Sequence, residues 1–194
     1  MPPKSRITRQ MILDAALQVV REEGLQALNV RAAASRLHCS TQPVMYHFAT
    51  MQDLKDEIYS IVNDQHTKAV LDVDFLNDPN PIVSISRNYI RYAVDNSNLF
   101  RFLFQTDRFS RSQLRTILEH KELSHIFSDM ADRVGLTIQE ARDAFASAFF
   151  ALHGIASLLA NNSMSYDPEH MDQIISGIFC GYIGFLKKGS DVCN

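Results

Sequence analysis

Between Asn29 and Phe48 there is room for only two short helices and the tight corner that joins them. Asn29 is an N-cap residue, and Val30 to about Leu37 holds no Gly or Pro that would interrupt a helix. The run Ala32-Ala33-Ala34 presents side chains small enough for another helix to lie close against it. His38-Cys39 makes a brief turn, and Ser40 caps a third helix reaching to about Phe48. Pro43 falls in that helix's first turn, where its missing N–H costs little. A helix of about eight residues, a tight turn and a second short helix have the dimensions of a helix-turn-helix.

The remaining residues also read as helices. Upstream, Ile7, Met11, Ala15 and Val19, widened by Ile12, Ala16 and Val20, form one apolar stripe from about Ser5 to Glu23. Gly24 ends it, and Leu25 and Leu28 fold back onto it. Downstream, Leu54, Ile58, Ile61, Val62 and Val70 mark the buried side of a long helix from Gln52 to about Leu71. After an irregular connector, Asn80-Pro81 opens a helix to about Asp95, and Leu99 to Phe104 forms a short, very apolar one. Helical segments run from about Ser110 to Arg133. Thr137-Ile138-Gln139-Glu140 fits a capping box that opens a helix to about Ala160. Asp167-Pro168-Glu169 starts the last one, which stops at Gly189. No segment alternates with a strand's period. The expected class is all-α, with a three-helix N-terminal domain over residues 1–50 and a helical body over 51–194.

Charge separates these two parts. Residues 1–48 carry six basic and three acidic side chains, so a net −3 chain has a +3 head on an acidic body. Such a head suits a phosphate-bearing partner. Cys39, Cys180 and Cys193 form no disulfide framework or zinc spacing, and Cys39 and Cys180 read as small hydrophobes. The N-terminus lacks the apolar run of a signal peptide, and no stretch reads as a bilayer span, so a cytoplasmic protein with no membrane partner is expected.

On the third helix, Ser40, Thr41, Gln42, Tyr46 and His47 can all hydrogen-bond base edges or phosphates. Gln42 suits base reading, because its amide can pair bidentately with adenine, while Tyr46 and His47 suit phosphates. Outside such a motif, Gln42 would read as an ordinary solvated residue. Arg31 begins the preceding helix, and Lys4, Arg6 and Arg9 form a basic arm.

The pattern Thr8-Arg9-x-x-Ile12-Leu13-x-Ala15-Ala16, then Gly24, then Asn29 to Ala34, then Ser40 through Tyr46-His47-Phe48 resembles the tetracycline-repressor (TetR) family over about the first 55 residues. His153-Gly154-Ile155-Ala156-Ser157-Leu158 resembles a penultimate-helix pattern of some members. The resemblance implies a helix-turn-helix DNA-binding head, a connecting fourth helix and a ligand-binding, dimerising body. It implies a repressor that leaves double-stranded operator DNA when a small molecule binds. Asn29 stands where the family usually has Thr, Met45 where it has Tyr, and Met51 where it often has Lys. Lys55, one turn on, is the candidate substitute for that Lys.

In the body, Phe100, Phe104, Phe127 and Phe149 with His153 could line a ligand pocket, or serve as plain core. The last two helices carry more apolar surface than one small body covers. Ala148, Ala151 and Ile155 on one, with Ile178, Gly181, Tyr182 and Phe185 on the other, are the expected dimer interface. A two-fold dimer reads an inverted repeat. Glu122-x-x-His125 has the spacing of half a di-iron site, but no second such pair occurs and His120 shares no helix face with His125. No metal, cofactor or catalytic constellation is expected. A lipid- or partner-binding module and a helical enzyme are the competing classes, separated from a regulator by DNA binding.

Overall fold

The computed structural model describes residues 7–75, 77–106 and 121–188. Among them it contains α-helices and one 3-10 turn, and no strand. The helices are α1 (Arg9–Glu23), α2 (Val30–Arg36), α3 (Gln42–His47), α4 (Met51–Val70), α5 (Pro81–Asp95), α6 (Ser97–Phe104), α7 (Lys121–Val134), α8 (Ile138–Ala160) and α9 (Pro168–Lys188). They fall into two compact units, residues 1–67 with 96–106, and residues 68–95 with 107–194.

In the first unit, Thr8 caps α1 by accepting the Met11 N–H at 3.2 Å. Gly24 ends it with φ +85°, a left-handed value that glycine adopts without cost. Ile12, Leu13, Ala15, Ala16, Val19 and Val20 are buried, and Leu28 returns to the core through the 3-10 turn Leu25–Ala27. The Asn29 side chain accepts the Ala32 N–H at 3.0 Å and so starts α2. Thr50 and Asp53 cap α4 reciprocally: each backbone N–H donates to the other's side chain, at 2.9 and 3.1 Å. Along α4, Leu54, Ile58, Val62 and His66 are buried at intervals of four residues, a spacing that Val70 continues into the second unit, while Ile61 is half-buried. Helix α6 packs against α1, where the Asn98 amide donates to the Arg21 carbonyl at 2.9 Å. The Tyr59 hydroxyl donates to the Leu103 carbonyl at 3.3 Å.

In the second unit, α8 is the central helix, with α5, α7 and α9 packed on it. Thr137 and Glu140 form the capping box at its start. This helix corrects one expectation from the sequence. By length and apolarity it could cross a bilayer, because after Glu140, Arg142 and Asp143 the helix carries no further Asp, Glu, Lys or Arg. Ala141, Ala144, Phe145, Ala148, Phe149, Leu152, Ala156, Leu159 and Ala160 are buried within the folded chain, which is how a core helix uses such a sequence. Residues 110–120 of the segment expected between Ser110 and Arg133 lie outside the described residues, as do Lys4, Arg6, His120 and Cys193.

Candidate nucleic-acid interface and ligand site

The corner between α2 and α3 is closed by backbone geometry. The Cys39 N–H donates to the Ala34 carbonyl and the His38 N–H to the Ser35 carbonyl, both at 3.1 Å. This is a Schellman ending with His38 in the left-handed position, φ +50°, where glycine is usual. Gly135 and Asn162 occupy the equivalent places after α7 and α8. Ala33 and Ala34 of α2 and Val44 of α3 are buried, so the small side chains let the two helices meet closely.

Helix α3 starts later than expected. Thr41, not Ser40, is its N-cap residue, and Thr41 makes no side-chain cap hydrogen bond. With Val44 and Phe48 turned inward, the opposite side of α3 presents Thr41, Gln42, Met45 and Tyr46, all exposed. Ser40 is exposed in the turn, and Arg31 is exposed on α2.

Two residues expected at phosphates have contacts within the unit. His47 is half-buried, and its Nε2–H donates to the Ile7 carbonyl at 3.2 Å, which fixes the proton on Nε2. Its ring also meets Tyr46 edge-on at 5.2 Å. Arg9 pairs with Glu57 of α4, and its guanidinium lies 4.6 Å from the Phe48 ring centroid. Lys55 is half-buried on α4. Arg36 bridges Glu22 and Glu23, which hold its guanidinium even more firmly protonated than usual.

In the second unit the Tyr89 hydroxyl lies 2.7 Å from Nδ1 of His153. Burial raises the Tyr89 phenol and lowers the His153 imidazole, so both stay neutral near pH 7. Tyr89 O–H therefore donates to Nδ1, and His153 carries its proton on Nε2. Phe149 stacks on the His153 ring at 5.7 Å and 23°, and Tyr89 meets Phe149 at 5.7 Å. Phe127 is buried with Phe145 edge-on at 5.3 Å, and Arg142 lies 5.7 Å over it. A neutral donor–acceptor pair among aromatic rings can orient an amphipathic molecule. Of the expected pocket residues, Phe127, Phe149 and His153 belong to this unit, whereas Phe100 and Phe104 belong to the first. There Phe100 is fully buried, and its ring is 4.8 Å from that of Phe104. Tyr89 was missed from sequence, although it continues the Ile82, Ile85 stripe of α5. No group of His, Cys, Asp and Glu able to hold a metal ion occurs among the described residues.

The outer sides of α8 and α9 form a second surface. Met171, Ile175 and Phe179 turn α9 inward, while Gly177, Gly181 and Phe185 are exposed and Ile178 and Tyr182 half-buried. On α8, Phe150, Ala151, Gly154 and Leu158 are exposed and Ile155 is half-buried. Ala148, expected on this surface, is instead 1% exposed, on the inward side with Ala144 and Leu152. A Cβ added at Gly154, Gly177, Gly181 or Gly184 would meet nothing within 4 Å.

Residues 82–177 match the family model of tetracyclin repressor-like C-terminal domains. No curated protein matches the sequence. Several solved structures share the fold. A TetR-family transcriptional regulator from Vibrio parahaemolyticus is 17% identical with a TM-score of 0.59, over 88% of this chain and 96% of that one. A TetR-like regulator from Rhodococcus sp. RHA1 is 13% identical with a TM-score of 0.59, over 90% and 96%. A TetR variant from Acinetobacter baumannii AYE in complex with minocycline is 16% identical with a TM-score of 0.57, over 97% of each chain. Residues 82–177 thus form a tetracyclin repressor-like C-terminal domain, and the chain as a whole, head motif included, is similar to the transcriptional regulators of the tetracycline-repressor (TetR) family.

Proposed function

We propose that this chain is a ligand-responsive repressor that docks on a palindromic operator as a homodimer in the cytoplasm. Residues 1–50 form the DNA-binding head and 51–194 the ligand-binding and dimerising body. The observation that carries this reading is the polar, exposed side of α3, backed by the buried Val44 and Phe48. Thr41 and Gln42 read base edges, and Ser40, Tyr46, Arg31 and Lys55 approach phosphates. His47 and Arg9 act there too, Arg9 by exchanging Glu57 for phosphate.

The effector is a small apolar or amphipathic molecule held near Phe127, Phe149 and the Tyr89–His153 pair. A solved structure of this fold is a complex with minocycline. Release from DNA requires only that the effector bind the two states unequally. The dimer reading is supported by the open glycines of α9. Each glycine inside a helix costs about 1 kcal/mol relative to alanine, and close approach by a second copy would offset that cost.

Selection of duplexes from a random pool by the full chain tests this function. Enrichment of an inverted repeat is expected, and a pool that stays random would refute it.

A further inference from the structure

We propose that Met45 is a specificity-determining residue that reads the 5-methyl group of a thymine, about one base step from the pair that Gln42 contacts. The inference rests on the DNA-docking reading above and adds to it a chemical preference at one position.

Helix α3 has six residues and commits one side to the core, with Val44 1% and Phe48 3% exposed. Met45 is 53% exposed on the other side. It lies three residues after Gln42 and four after Thr41, so the three side chains share one face. The helical rise places Met45 about 4.5 Å along the axis from Gln42, close to the roughly 3.4 Å spacing of bases on a strand.

Along that face, chemistry separates the roles. Gln42 offers a donor and an acceptor, which suit the amine and ring nitrogen of adenine. Met45 offers neither. The apolar group that a base presents in the major groove is the C5-methyl of thymine. A methionine side chain is unbranched, flexible and polarisable, so it can lie over a methyl group without a fixed rotamer. No Asp, Glu, Lys or Arg occurs on α3, so no charge competes for the position.

The test uses the full chain and a duplex it selects from a random pool. Each thymine is replaced in turn by deoxyuridine, which removes only the methyl group. For the native protein, one thymine in each half-site should weaken binding about fourfold when replaced, the factor expected for uncovering one methyl-sized group. In Met45→Ala the same replacement should have no effect. Because Met45 is outside the core, Met45→Ala should unfold at the native midpoint, which separates lost reading from lost folding.

Three results would overturn the inference while leaving DNA docking in place. One is a selected site with no methyl-sensitive thymine. A second is a methyl effect of equal size in Met45→Ala. The third is a uniform loss of affinity in Met45→Ala whatever base is present, which would make Met45 a backbone or partner contact. A pool that shows no enrichment would overturn the docking reading and this inference together.

Discussion

His66 makes the stability of the first unit depend on pH. It occupies the buried stripe of α4 between Val62 and Val70, is 7% exposed, and meets the Phe104 ring edge-on at 5.2 Å. Burial penalises the imidazolium and pushes its pKa from 6.5 down to about 4. The folded protein therefore holds a neutral ring, whereas the unfolded chain takes a proton near pH 6.5. Stability from this site is fully present above pH 6.5 and is lost as pH falls toward 4. At 1.36 kcal/mol per pH unit, the loss between pH 8 and pH 5 is about 2 kcal/mol, approaching about 3 kcal/mol at pH 4. His66→Leu keeps an apolar side chain in the stripe and removes the titration. Urea unfolding of both proteins at pH 8, 7, 6 and 5 isolates the effect as their difference. The native protein should lose about 2 kcal/mol more than the variant by pH 5. Parallel stability curves over that range would show that the ring is solvated or already charged in the fold.

Other consequences concern DNA and assembly. Gln42→Ala should relax discrimination at one base position by about 1–3 kcal/mol, read as competition between operator variants; undiminished discrimination would remove Gln42 from base reading. Glu57→Gln releases Arg9 to phosphate, so the plot of log affinity against log salt should steepen by about one per head, and an unchanged slope would leave Arg9 a purely structural strut. Ile178→Asp places a charge on the open side of α9 and should give monomers in analytical ultracentrifugation; a stable dimer would move the interface elsewhere.

Local chemistry made the long helices readable. The Thr137–Glu140 capping box and Asp167-Pro168 set the starts of α8 and α9, because each signal acts within one turn. The start of α3 was less readable, since Ser40 and Thr41 are both capping residue types and Thr41, the N-cap, makes no side-chain cap bond. His38 hid a helix ending that glycine would have advertised. His66 was passed over because a histidine interrupts an otherwise apolar stripe, although its spacing of four from Val62 and Val70 marks the inward side. The Tyr89–His153 pair joins residues 64 apart, and Asn98 reaches Arg21 over 77. Such pairs depend on how helices pack, which no local pattern records. The same holds for Phe100 and Phe104, whose apolar character was plain but whose unit was not.

Protection of guanine N7 atoms from dimethyl sulfate on a selected duplex probes α3 docking most directly, because N7 lies in the major groove. The account predicts two protected clusters related by two-fold symmetry, both lost on Thr41→Ala/Gln42→Ala. Tight binding without major-groove protection, or protection that survives in that variant, would contradict it.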